Sequence, residues 1–387
     1  MRLVLVLVLI LLFSETVLAA KGIPFGGTIR MFPEIGVQFK HDDNIAWASE
    51  NEVSSFVTVF TPQLKFERKQ RSSGYALTVG TEVGRYTANS NDNYEDISFL
   101  GEAEWQLTRR AKFFVNADYL MGHDPRGTTD RGDSTLPNTW GLTRLMSQFS
   151  YELGSKYTVE AELGHISKRY QDFSFAEKID DFNDTALKAR VLYQILPKIN
   201  VFVETAYSII DYQFVGSTQS SDISTLSVGA KWQATAKTSG SAQIGYLSKA
   251  FDSDLRNDFS GANWKIAMQW KASNRSTVDI STGKFTNDTT GIGDVLITQD
   301  FSISEKHVWM PRISSTVGFY MAKINFDGDV REIDRADDLT AYNLAMNYNW
   351  SRNIMFSAGL DINKRDSNYN TDDFDQNIFF IRVQASL

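Results

Sequence analysis

Charged residues recur at alternate positions along the chain: Glu102 and Glu104, Glu160 and Glu162, Lys188 and Arg190. Side chains two residues apart share a face only in an extended strand. Each pair therefore lines one wall, and the apolar residues between them line the other. Glu82, Asp118, Glu204, Lys231 and Lys265 fall on the same polar parity of their own segments. A wall of this kind solvates ions and polar solutes, and its residue types do not assemble bond-making machinery. The four histidines, His41, His123, His165 and His307, lack a Ser or Asp at a spacing that would place a triad or dyad on one strand face. His123 beside Asp124 is the nearest approach, in an acidic stretch where such neighbours arise by chance. The segment "FDGDVREIDRADD" (326–338) is rich in carboxylates but lacks the spacing of an EF-hand loop. There is no cysteine, which excludes disulfides and thiolate metal sites. The expectation is a protein that is not an enzyme, with neither metal nor cofactor.

The elements that carry this wall are strands. In "GEAEWQLTRRAKFFVNADYL" (101–120), Ala103, Trp105 and Leu107 alternate with Glu102, Glu104 and Gln106. After a basic turn, Phe113, Val115, Ala117 and Tyr119 alternate with Phe114, Asn116 and Asp118. The same period of two recurs from Ile35/Val37/Phe39 to Ile381/Val383/Ala385/Leu387 and predicts eighteen strands. At roughly nine to thirteen residues they match membrane-crossing strands, which need about 9–11, better than soluble strands of about five or six.

The links separate a soluble sandwich from a membrane barrel. Every second one is short and mostly basic, as in "TRRAK", "LGSK" and "SRN"; the others are long and acidic, as in "HDDNIAWASENE" and "RDSNYNTDDFD". Short periplasmic turns and long extracellular loops are the pattern of outer-membrane barrels, and a sandwich has no reason for it. Trp and Tyr residues near strand ends suit interfacial girdles. Residues 1–19 read as a signal peptide: Met1–Arg2, an apolar run from Leu3 to Phe13, then Val17 and Ala19 at the −3 and −1 positions. Residues 20–387 are then one all-β unit, a transmembrane antiparallel up-and-down β-barrel of about 18 strands in the Gram-negative outer membrane. The first strand begins too soon after the signal for a plug domain. The net charge of −8 argues against nucleic acid as a partner.

Eighteen strands spaced by ~4.8 Å and tilted by ~40° give a backbone radius of about 18 Å and a free radius of roughly 12 Å, unless loops fold in. The longest loop, 121–138, is the candidate constriction. A polar, mixed-charge wall excludes a closed, dry core. Carboxylates gather on the earlier strands and lysines on the eighth to twelfth, which predicts a field across the pore.

Three stretches resemble the putative β-barrel porin 2 family. "FKHDDNIAW" (39–47) is similar to its first strand and loop, through Asp42, Asp43 and Asn44. "GHISKRYQDF" with "DDFND" is similar to a second loop, through Gly164, Arg169, Tyr170 and Asp172. "RDSNYNTDDFDQN" (365–377) is similar to its closing loop, through Arg365, Ser367, Asn368, Asp373, Phe374 and Asn377. The resemblance implies a barrel that accompanies export of an extracellular or capsular polysaccharide, with a periplasmic polysaccharide export protein as a candidate partner. It brings no catalytic residues. The alternative is a general or solute-selective diffusion porin for small hydrophilic molecules. In either case outer-membrane lipid and lipopolysaccharide surround the barrel.

Overall fold

A computed structural model describes residues 22–127, 136–171, 180–233, 237–289, 293–328 and 334–387. A short β1 (Ile23–Gly26) folds back on the first long strand. The wall begins with β2 (Ile29–Asp42), β3 (Ser55–Lys69), β4 (Ser73–Tyr86), β5 (Tyr94–Gln106), β6 (Ala111–Asp124) and β7 (Asn138–Leu153). It continues with β8 (Tyr157–Tyr170), β9 (Phe182–Leu196), β10 (Ile199–Tyr212), β11 (Ser221–Trp232), β12 (Thr238–Phe251) and β13 (Phe259–Trp270). It ends with β14 (Ser276–Asp288), β15 (Val295–Met310), β16 (Ile313–Asp327), β17 (Ala336–Asn349), β18 (Ile354–Ser367) and β19 (Phe374–Ser386).

Each long strand pairs antiparallel with the next, and β19 pairs with β2 from Ile378↔Asp42 to Ser386↔Glu34. That closes a ring of eighteen and leaves no free edge, which satisfies backbone groups that a bilayer cannot hydrate. All eighteen expected strands are present. They run from twelve residues in β11 to sixteen in β7 and β15, most of them longer than expected. β15 runs as far as Met310, so only 311–312 link it to β16.

The outward parity is as expected. Phe39 is 58% exposed, Leu187 58%, Leu226 60% and Ile244 59%, an apolar belt that only lipid would cover. At the periplasmic ends the belt turns aromatic, with Trp105 Nε1 donating to Tyr75 Oη at 3.0 Å and Tyr157 against Tyr193 at 5.0 Å.

The inward face departs from expectation at the extracellular end. Leu296, Tyr320, Ala322, Ile324, Phe326 and Leu339 form a buried cluster there, on β15, β16 and β17. Val57, Leu142 and Phe380 are also almost fully buried on inward positions. A buried apolar cluster therefore lines part of the bore at this end, beside charged inward residues. Its cause is sequence in which both parities are apolar, as in "VGFYMAKINF" (317–326): Tyr320, Ala322, Ile324 and Phe326 are buried inward, while Val317 and Met321 stay exposed on the outward face.

Candidate functional site

The site is the lumen, and it has two unlike halves. Toward the periplasm, β10 to β18 enclose a vestibule of about 1220 Å³. Its wall is hydroxyl and amide: Asn200, Ser241, Gln269, Ser302, Ser304, Thr316 and Asn347 among others, with Lys198, Lys231, Lys271 and Lys306 set against Asp279. The opposite wall keeps Glu102 and Glu104 exposed to the bore. Toward the outside, a smaller chamber of about 390 Å³ is bounded by strands from β6 round to β19 and by Trp47.

The segment 43–54, which joins β2 to β3, narrows that chamber. It turns inward through Trp47 and Asn51, both at positive φ, and Trp47 stacks on the inward Phe374 at 4.7 Å between centroids. Ile45 and Asn44 are buried. The neighbouring loop packs on it through Gly127, at φ +69°, where a Cβ would fall 1.8 Å from the Ala46 carbonyl oxygen. Only glycine fits a left-handed position with backbone so close. Arg126 beside it is held by Asp92, with Nε and Nη2 at 2.5 and 2.7 Å. In the loop expected to constrict the bore, residues 121–124 thus belong to β6, Arg126 and Gly127 brace the first loop, and 128–135 lie outside the described residues.

The family-like residues that the structure describes tie strand ends and loops together by hydrogen bonds. Asp42, Asp43 and Asn44 end the first wall strand, and 373–377 begin the last, and ring closure brings them together. Gln376 Nε2 donates to the Asp42 carboxylate at 3.0 and 3.1 Å. Asn377 donates to Asp43 from its backbone N–H and its amide, at 2.6 and 2.8 Å. Asn44 Nδ2 reaches the carbonyls of Asp375 and Ala48, while its Oδ1 accepts the Ala48 N–H at 2.9 Å. Every polar group of this buried amide is thereby satisfied. Asp373 accepts the Ser367 N–H at 2.6 Å, Arg365 lies 4.9 Å over the Phe374 ring, and Asn368 joins the 334–336 backbone. Arg169 ties β8 to the start of β9 through the Phe182 carbonyl and Asn183. Tyr170 turns inward, and its hydroxyl donates to Asp124 at 2.9 Å. Asp172 lies outside the described residues.

Of the expected lumen residues, six are neighbours on β8 to β11. Arg190 reaches Glu160 at 2.8 Å and Glu204 through Nε at 2.7 Å; Lys188 meets Glu162 at 3.0 Å; Lys231 lies 3.9 Å from Glu160. Three carboxylates and three cations cancel side by side, so the expected field is largely quenched along this wall. Asp118 meets Arg144 at 3.5 Å, and Glu82 accepts the Tyr94 hydroxyl at 2.6 Å. What remains of the field runs from Glu82, Glu102 and Glu104 on β4 and β5 to Lys265 on β13. In a ring of eighteen, β4 and β13 are nine strands apart and therefore opposite.

One cluster escaped sequence reading. The β14–β15 register sets Ser276 Oγ 2.7 Å from His307 Nδ1, with Glu305 3.7 Å from that same nitrogen. A relay needs both ring nitrogens, one for the nucleophile and one for the carboxylate. Here both partners use Nδ1, on the outward parity at the periplasmic rim. Among the described residues no group of three or more His, Asp or Glu could hold a metal ion.

The family model described as "Putative beta-barrel porin 2" matches residues 17–387. No curated protein sequence matches this chain. Among solved structures it is similar to Pseudomonas aeruginosa OpdL, at 10% identity and a TM-score of 0.50, covering 93% of this chain and 99% of that one. It is also similar to Acinetobacter baumannii OccAB2, at 12% identity and a TM-score of 0.50, covering 94% and 99%. A third is Pseudomonas aeruginosa OccK2 in complex with glucuronate, at 11% identity and a TM-score of 0.50, covering 93% and 98%. The chain belongs to the putative β-barrel porin 2 family and is an integral outer-membrane β-barrel of porin fold.

Proposed function

We propose that this member of the porin 2 family is a solute-selective porin for small hydrophilic molecules, with the extracellular chamber as its filter. One observation carries the reading: at the outer end the described residues line a chamber of about 390 Å³, with Trp47 of the segment 43–54 on its wall and stacked on Phe374. Pockets of ~300–1,000 Å³ hold one small molecule, and a free radius of roughly 12 Å would have passed a hydrated chain. The quenched ion pairs on β8 to β11 leave a wall that wets the path without trapping a charged solute on it.

A second reading, polysaccharide export, is favoured by the vestibule. Its Ser, Thr, Asn and Gln lining suits sugar hydroxyls along a track, and the basic turns offer an acidic periplasmic partner a surface. That reading requires the segment 43–54 to leave the bore.

Liposome swelling separates the two. Reconstituted barrel should admit mono- and disaccharides and exclude longer oligosaccharides. In a polymer-producing strain, deletion of the gene should leave surface polysaccharide unchanged. Polymer trapped in the periplasm of the deletion strain would reject the filter and restore export.

A further inference from the structure

The extracellular chamber carries a surplus carboxylate beside a pair of aromatic rings. Its basic residues are all engaged. Lys168 lies 3.9 Å from Asp124, Lys249 pairs with Asp288, and Arg335 meets Asp337 at 2.7 Å and Asp372 at 3.2 Å. Arg365 donates to the Asp372 carbonyl. Asp184 is different: its partner is the neutral hydroxyl of Ser208, and among the described residues it forms no ion pair. One pleat above it on the same face of β9 stands Phe182, paired in register with Tyr212 of β10, ring centroids 5.8 Å apart. Among the described residues no cation lies over either ring.

The chamber repeatedly solves the same problem elsewhere by laying a cation on a ring. Lys168 Nζ sits 5.0 Å from Trp140 and 4.6 Å from Tyr170, and the Arg335 guanidinium 4.5 Å from Phe326. Electron-rich ring faces attract a desolvated cation most strongly where water is excluded. Among the described residues, the Phe182–Tyr212–Asp184 corner has no cation over its rings and none paired with Asp184; the nearest ion pair is Lys249–Asp288, whose carboxylate accepts the Tyr212 hydroxyl at 3.1 Å.

We propose that this corner binds the positively charged end of a small organic cation, an amine or quaternary ammonium, and makes the chamber a cation filter. This deepens the porin reading and rests on it for its role in transport. Asp184 supplies the counter-charge and the two rings the faces, while the apolar cluster on β15–β17 receives the rest of the solute.

The test is isothermal titration of benzyltrimethylammonium into the full-length barrel folded in detergent, with benzyl alcohol and glucuronate as neutral and anionic controls. The cation should bind at least tenfold tighter than either control. Asp184→Asn should lose about tenfold, Asp184→Glu should recover most of it, and Phe182→Leu, which keeps bulk without a ring, should lose several-fold. Heat-modifiable migration on gels verifies that each variant is folded. Equal binding of cation and benzyl alcohol, or an unchanged Asp184→Asn, would overturn the site. Liposome flux of the same cation is read separately. Binding without flux would overturn the porin reading and leave the site standing; flux without binding would do the reverse.

Discussion

The two ends of the bore are built from the same eighteen strands by opposite rules. The periplasmic half follows the alternation expected of a water-filled barrel, apolar outside and polar within. The extracellular half abandons it, with buried Leu, Ile and Phe side chains and ion pairs facing inward and a loop folded among them. Closure fixes the wall, and what fills the wall is set strand by strand by whether inward positions are hydroxyl or hydrocarbon.

The sharpest way to break the contrast is to remove what fills the outer half. Replacing residues 45–53 by a short Gly-Ser link, with Asn44 kept, should raise single-channel conductance several-fold in planar bilayers. Two resistances in series are governed by the narrower. An unchanged conductance would place the constriction elsewhere.

Next in size is the charge ladder where the halves meet. Arg190 is mostly buried between Glu160 and Glu204. Arg190→Met strands Glu204 and leaves Glu160 only the more distant Lys231, which should cost about 3 kcal/mol by urea unfolding in lipid vesicles. Adding Glu160→Gln and Glu204→Gln should restore most of that, because the penalty is unpaired charge rather than lost packing. If the triple variant is no better than the single, Arg190 acts through its contact with the Phe202 ring, 5.0 Å away.

A smaller effect is expected at the seam. Asn44→Ala removes three side-chain hydrogen bonds around a buried amide and should cost about 2 kcal/mol. Asn377→Ala, in the exposed part of the same clamp, should cost less than about 1 kcal/mol. Equal costs would mean that burial does not set the strength of the clamp.

How much of this was legible follows from the same contrast. All eighteen strands and the alternation of links could be read because period two needs only local sequence. The motif residues could be found but not their work, since Asp42–Asn44 and Asp373–Asn377 meet only when the first and last strands close the ring. The apolar chamber left a trace in runs such as "VGFYMAKINF", where both parities are apolar, yet that pattern equally fits a strand buried in a sandwich. The charge ladder was visible as residues but not as pairs. Glu160 meets Arg190 because the β8–β9 register sets them opposite, and register is not printed in either strand alone.

The smallest predicted effect tests whether the vestibule's charge matters at all. Lys198 and Lys271 are exposed at its rim and sit farther from the chamber than the ~8 Å over which physiological salt screens a charge. Replacing both with Ser should shift the reversal potential in a salt gradient by only a few millivolts toward cations. The shift should vanish at about 1 M salt, where screening falls to ~3 Å. Stability should not change, because neither ammonium is paired in a buried setting. A shift that survives high salt would mean that the lysines touch the permeating ion, and selectivity would then belong to the wide half as well as the narrow one.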